Sequence, residues 1–316
     1  MGDSNKSMNE GYCYSVRMYS KKIDRNHPAA IVLLLDQSLS MKMPWDSSSD
    51  EDDTLELLRL LAEDVESVAA DDARTRSSRL ADLTNGFIRE LILSSTFGDE
   101  VRPYFHLAVI GYGGEDEVTS LLDGTSIEEP FIPINKLHEP IVREIVDSGR
   151  LRRKLEWVKP KSAGMTPMFG ALGFAREALS SWVRDHSDSF PPIVFNITDG
   201  EPTDLDIEDS DGYSEFVSLS NGIQSLSTDD GCTLLFSALI SNTDIPAQQY
   251  PLVKPQGDSA AALLFETSSV IPENLRNSAE SIGLRISRGG RCFIFKADPE
   301  SLIGMLNIGT LGTQFS

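Results

Sequence analysis

Basic residues are scarce in this chain. It carries 28 Lys+Arg against 49 Asp+Glu, a formal net charge of -21. Such a surface repels phosphate backbones, so nucleic-acid binding would require a local basic stripe, and none is present. The densest basic cluster is Arg150, Arg152, Arg153 and Lys154, beside an apolar run, and it reads as a solvated helix face. Cysteine is scarce too. Cys13, Cys232 and Cys292 are odd in number and match no metal or redox spacing. The four histidines (His27, His106, His138, His186) form no HxxxH pair, which argues against zinc. Long apolar runs are also missing. The longest, Ala29 to Leu35, is too short to span a bilayer, and the first fifteen residues contain no signal-like core. Lys6 stands where a myristoylation signal places Ser or Thr. The expectation is a cytoplasmic protein without a membrane segment.

What is present is a set of short buried runs. Ala29–Leu35 (AAIVLLL) ends at Asp36, and continuous runs of this kind suit strands covered on both faces. Phe105–Ile110, Ile193–Ile197, Thr233–Ile240 and Cys292–Phe295 resemble it, and Val118–Leu122 reads as a shorter strand. Helical spacing appears between them. Leu80, Leu83, Phe87, Ile88 and Leu91 share one face, as do Met168, Leu172, Ala175, Leu179 and Trp182. Further helices are expected over Tyr213–Leu226 and Pro299–Leu306. Alternating strands and helices predict an α/β fold: a doubly wound, mostly parallel sheet with helices on both faces. Right-handed crossovers then gather the strand C-terminal ends along one edge, where ligands bind.

With 316 residues, 40% of them hydrophobic, the chain can bury a large core. The elements run throughout, which favours one domain over residues 29–316, preceded by an extension at 1–28 whose Tyr12–Tyr19 segment could add an edge strand. Two segments interrupt the domain. Insertion 42–76 is acidic: residues 46–76 hold 11 acids and 3 bases, a net of -8. Within it Ser47–Asp53 reads as mobile and Thr54–Val68 as a short amphipathic helix. Residues 241–280 form a long Pro- and Ser-containing excursion. No internal repeat is evident.

Chemistry concentrates in three loops. Asp36-Gln37-Ser38-Leu39-Ser40 starts where the first strand ends, and its alternating carboxylate and hydroxyls can point one way from an extended turn. Lys161–Ala171 reads KSAGMTPMFGA, with Thr166 a candidate N-cap and Pro167 at the first helical position. Asn196–Asp204 reads NITDGEPTD, with Asp199 directly after a buried strand. Taken singly, each is an ordinary cap or turn residue. Together, in this order and on these elements, the oxygens suit a hard cation such as magnesium.

The set resembles the metal-ion-dependent adhesion site of von Willebrand factor A (VWA) domains, and the words DQSLSM, GMTPM and ITDGEPTD look like those of bacterial, intracellular members. The resemblance implies that Asp36, Ser38 and Ser40 form the first metal loop, Thr166 the second and Asp199 the third, holding Mg²⁺, with Mn²⁺ or Ca²⁺ as substitutes. Leu39 stands where the family often has Gly, at a position that is not a ligand. The function it implies is binding of a protein partner through the ion, the partner supplying an acidic side chain. Phosphatases, kinases and AAA+ ATPases are the partner classes that accompany such relatives. The helix N-terminus after Thr166 would add attraction for an anion.

Other readings compete. A phosphoryl transferase of haloacid dehalogenase type also has an Asp nucleophile after its first strand, but needs a second Asp two residues on, where this chain has Ser38. A scaffold with a vestigial site is the other alternative. No catalytic role is expected. Asp204, Asp206, Glu208, Asp209 and Asp211 suggest calcium, yet Ile207 and Ser218 break the EF-hand spacing, leaving a solvated acidic loop. Gly111, Gly113 and Gly114 do not form a phosphate loop, because GYGGEDE leads into a strand.

Overall fold

The apolar run at 29–35 becomes the centre of strand β1 (Ala29–Gln37), every residue of which is buried. The computed structural model describes residues 19–45, 75–114, 117–147 and 150–311. Of the segment Tyr12–Tyr19 only Tyr19 is among them, so the expected edge strand lies outside the described residues, as do the expectations for Ser47–Asp53 and Thr54–Val68.

Beyond β1 the chain continues through α1 (Arg76–Ser94), β2 (Phe105–Gly113), β3 (Glu117–Ser120) and β4 (Ile132–Pro133). A hairpin follows, β5 (Ile141–Asp147) and β6 (Arg150–Glu156), then α2 (Met168–Asp185), β7 (Ile193–Thr198), α3 (Ser210–Ser225) and β8 (Leu234–Leu239). The last elements are β9 (Gln248–Gln249), α4 (Ser259–Thr267), α5 (Glu273–Ser281), β10 (Phe293–Phe295) and α6 (Pro299–Leu311). Among the described residues the eight-stranded sheet runs β9-β10-β8-β7-β1-β2-β3, with β4 also pairing β2. Strands β10, β8, β7, β1 and β2 are mutually parallel, and β9, β3 and β4 are antiparallel additions.

Strand alternation explains why β1 had to be apolar throughout. Ile31, Leu33 and Leu35 enter a core with Leu80, Phe87, Ile88 and Leu91 of α1, Leu275 of α5, and Leu302 and Met305 of α6. Ala30, Val32 and Leu34 face the opposite core, with Met168, Leu172 and Leu179 of α2, Phe216 of α3 and Leu263 of α4. Helices therefore cover both faces, as expected for a doubly wound α/β sheet. Polar caps fix several entrances: Thr75 accepts from the Ser78 N–H, Asp209 from Asp211 and Gly212, and Asp258 from Ala261.

One expectation needs correction. The basic cluster Arg150, Arg152, Arg153 and Lys154 lies not on a helix but on β6 of a two-stranded antiparallel hairpin outside the main sheet. The two seven-residue strands pair along their whole length, from Ile141 opposite Glu156 to Asp147 opposite Arg150, and Lys154 pairs with Asp82 of α1. The excursion 241–280 holds α4 and most of α5. At the base of insertion 42–76, Pro44 bridges Thr75 and the Arg76 N–H donates to Met43 O at 2.9 Å.

At the end of the sheet remote from the β1 C-terminus, the Trp182 indole N–H donates to His106 Nδ1 at 3.0 Å. Burial, with the positive charges of His186 and Lys136, lowers the His106 pKa to about 4. Because the folded value lies below the unfolded one near 6.5, this contribution is complete above pH 6.5 and is lost as pH falls through 4. Urea unfolding should show wild type losing on the order of 2 kcal/mol more than His106→Phe between pH 7 and 4. Parallel curves for the two proteins would contradict this.

Candidate metal centre

The first loop is held by its backbone before its side chains are considered. Asp36 pairs with Tyr112 and Gln37 with Gly113 in the β1–β2 register. Gln37 O accepts from the Ala163 N–H at 2.8 Å, and the Leu39 N–H donates to Gly164 O at 3.1 Å. The loop before α2 is thereby tied to the end of β1. Gly113, at φ +135, is required here: a Cβ would lie 2.6 Å from both Gln37 O and Ser38 N. Its role is close backbone approach behind the loop.

Four of the five expected residues form a continuous network. Ser38 Oγ lies 2.9 Å from Ser40 Oγ, and the Ser40 hydroxyl donates to Asp199 Oδ1 at 2.7 Å. Asp36 Oδ1 accepts from the Ser38 N–H at 2.8 Å, and Asp36 Oδ2 accepts from the Thr198 hydroxyl at 2.6 Å. Asp36 is 1% exposed and the Asp199 side chain 0% exposed. Beneath them Tyr112, wholly buried, donates to Asn196 Oδ1 at 2.8 Å.

Thr166 reaches the same edge through its backbone. Its N–H donates to Thr203 Oγ1 at 2.8 Å and its carbonyl accepts from the Thr203 N–H at 2.9 Å. The side chain makes no direct hydrogen bond to the other four. Thr166 is not the expected N-cap, because Pro167 occupies that position and Met168 opens α2. Asp204 caps the helix instead, accepting from the Phe169 N–H at 3.1 Å and the Gly170 N–H at 2.7 Å. That N-terminus is thus already matched by a carboxylate of the chain, and the expected extra attraction for a partner's anion is removed. Asp206 accepts from Glu208 and Asp209, and Asp209 caps α3, so this acidic run serves turns and helix ends.

Electrostatics sharpen the picture. Burial, reinforced by the Asp199 charge, pushes the Asp36 carboxyl up to about 7, against the pull of hydrogen bonds from Ser38 and Thr198. Tyr112 is driven well above its usual range by burial and by the Asp36 charge. Arg76 Nη1 lies 2.9 Å from Asp199 Oδ2, with both side chains buried. Sequence reasoning missed Arg76 and Thr198. Thr198 could have been found, since β1–β7 pairing of Leu35 with Ile197 places it beside Asp36.

The donor set fits a hard divalent ion. Two buried carboxylates sit together with hydroxyls within hydrogen-bond reach, and a cation would offset the burial and the Asp199 repulsion that raise Asp36. Among the described residues no group of three or more His, Cys, Asp or Glu could hold a metal, so a metal here depends on hydroxyl ligands. Asp36 and Asp199 would supply the charge, and Ser38, Ser40 and Thr166 neutral oxygens.

Comparisons with known proteins give structural likenesses only. No family model matches the chain, and no curated protein matches it. Among solved structures it is similar to the vWF domain of the type V pili tip protein Mfa5 from Porphyromonas gingivalis, at 12% identity and a TM-score of 0.44, covering 92% of this chain and 98% of that one. It is similar to the adhesive tip pilin GBS104 from Group B Streptococcus agalactiae, at 13% identity and a TM-score of 0.29, covering 84% and 72%. The pilus adhesin RrgA from Streptococcus pneumoniae gives 15% identity and a TM-score of 0.27, covering 58% of this chain and 22% of that one. None of these likenesses speaks to the ligand or the site residues of this chain.

Proposed function

We propose that Asp36, Ser38, Ser40, Thr166 and Asp199 hold one Mg²⁺, and that the protein uses it to bind a protein partner through an acidic side chain. The observation that carries this reading is the Ser38–Ser40–Asp199 oxygen network, with a 2.9 Å contact inside the first loop and a 2.7 Å hydrogen bond from it to the third. Magnesium prefers six oxygens and keeps part of its hydration shell, so a partner's carboxylate can take a water's place. Mn²⁺ or Ca²⁺ would serve the same donors. Met165, 54% exposed beside Thr166, offers apolar surface at the same edge.

The role is regulatory or assembly work in a bacterial multi-protein system, with a phosphatase, kinase or AAA+ ATPase as partner. This rests on the sequence resemblance to intracellular VWA proteins. No catalytic role is proposed. As a nucleophile Asp36 would have to leave two buried hydrogen bonds, from Ser38 and Thr198, and the acid/base position of a haloacid dehalogenase is Ser38.

Affinity capture tests the reading in three arms: with magnesium, with EDTA, and with Thr166→Ala in magnesium. The captured protein is expected in the first arm and lost in the other two, while circular dichroism shows the fold retained in all. Equal capture throughout would remove the metal face from the interface. Asp36-dependent turnover of a phosphate ester would restore the enzyme reading.

A further inference from the structure

We propose that Arg76 is a resident cation of this centre, holding Asp199 in the metal-free protein and lowering the affinity for a divalent ion. The inference rests on the reading of the five residues as a metal site.

The position of Arg76 is set by the fold. It opens α1 directly after Thr75, which caps that helix, and its N–H donates to Met43 O at 2.9 Å, a few residues beyond Ser40. The Pro44–Thr75 bridge closes the two ends of insertion 42–76 at this point. From there the side chain reaches across to the third loop. Nη1 lies 2.9 Å from Asp199 Oδ2, with 6% of the Arg76 side chain and none of the Asp199 side chain exposed. Asp199 Oδ1 is taken by the Ser40 hydroxyl at 2.7 Å. Both oxygens of Asp199 are therefore engaged, one by a hydroxyl and one by a guanidinium.

Charge counting gives the consequence. Asp36 and Asp199 ionised contribute two negative charges, and Arg76 contributes one positive charge that a guanidinium does not give up. Metal-free, the cluster is partly neutralised. A divalent ion entering it meets a fixed cation already on one of its ligands, in surroundings where screening is weak. Arg76 thus supports the metal-free cluster and opposes loading. A buried ion pair that loses one partner leaves the other charge uncompensated, so the same guanidinium must contribute stability when no metal is bound.

The test is calorimetric titration of MgCl₂ into the full chain, beside thermal melting in EDTA and in saturating magnesium. Arg76→Gln and Arg76→Met remove the charge, and Arg76→Lys keeps it. The two neutral variants are expected to bind magnesium at least about tenfold more tightly than wild type. They should melt lower in EDTA, with the deficit shrinking in magnesium. Arg76→Lys should stay within about threefold of wild-type affinity. A neutral variant that folds only in magnesium would give the same support. Equal or weaker magnesium binding by the neutral variants, with wild type binding, would overturn the proposal, as would tenfold tightening in Arg76→Lys. Absence of magnesium binding in every protein, wild type included, would overturn the metal reading itself. The EDTA melts then decide on Arg76 alone, and an unchanged melting temperature would sink it.

Discussion

Gly113→Ala is expected to destabilise the protein by about 3–5 kcal/mol and to remove magnesium binding at concentrations that saturate wild type. The reason is local and steric. Gly113 ends β2 at φ +135, a conformation that L side chains rarely adopt. An added Cβ would lie 2.6 Å from Gln37 O and from Ser38 N, and these are backbone atoms that no rotamer change can clear. The strain must be relieved either by withdrawing β2 or by moving the Gln37–Ser38 turn that leads into Ser38 and Ser40 of the proposed metal site. Gly173→Ala is the control. Gly173 lies inside α2, where an added Cβ would meet nothing within 4 Å, so alanine there is expected to stabilise by about 0.5–1 kcal/mol. Urea unfolding and magnesium titration of both variants check the pair. Wild-type affinity in Gly113→Ala would show that the loop does not depend on this approach.

Asp36→Ala is expected to lower magnesium affinity by at least about a hundredfold, since it removes one of the two charged ligands proposed for the ion. Asp36→Asn separates charge from packing. It can keep an acceptor for the Ser38 N–H, yet it lacks the buried charge that Asp199 opposes. The folded pKa of Asp36 is raised, to about 7 from 3.8. Its stabilising contribution is therefore complete below pH 3.8 and is lost as pH rises through 7. In EDTA at pH 8, Asp36→Asn should melt at or above wild type, whereas in saturating magnesium at that pH the order should reverse. Scanning calorimetry under the two conditions checks the reversal. A variant that melts below wild type in EDTA at pH 8 would show that Asp36 is stabilising as an anion without metal.

Much of this was legible because the sheet is buried on both faces. The run at Ala29 is apolar at every position, and those at Phe105, Ile193 and Leu234 are broken only by His106, Asn196 and Ser237, whereas a strand with a solvated face would alternate. Asp36 and Asp199 were visible because each breaks such a run at its C-terminal end. The hairpin β5–β6 was hidden for the opposite reason. It lies outside the main sheet, and its sequence mixes bases with aliphatic residues at a spacing that suits either a strand or a helix. Helices α4 and α5 were obscured by Pro251, Pro255 and Pro272, which punctuate rather than exclude short helices. The α2 cap was missed because Asp204 is 35 residues from the first N–H it serves. Arg76 was out of reach because its partner Asp199 is 123 positions away, and no local pattern encodes that pairing.

The most direct test of the metal site is anomalous diffraction at the manganese edge from crystals soaked in Mn²⁺. One strong peak is expected at the β1–β7 edge, within coordination distance of Ser38 Oγ and Ser40 Oγ. The same soak of Asp36→Ala crystals should give no peak there. A peak placed elsewhere, or none in wild-type crystals at millimolar Mn²⁺, would contradict the proposed site.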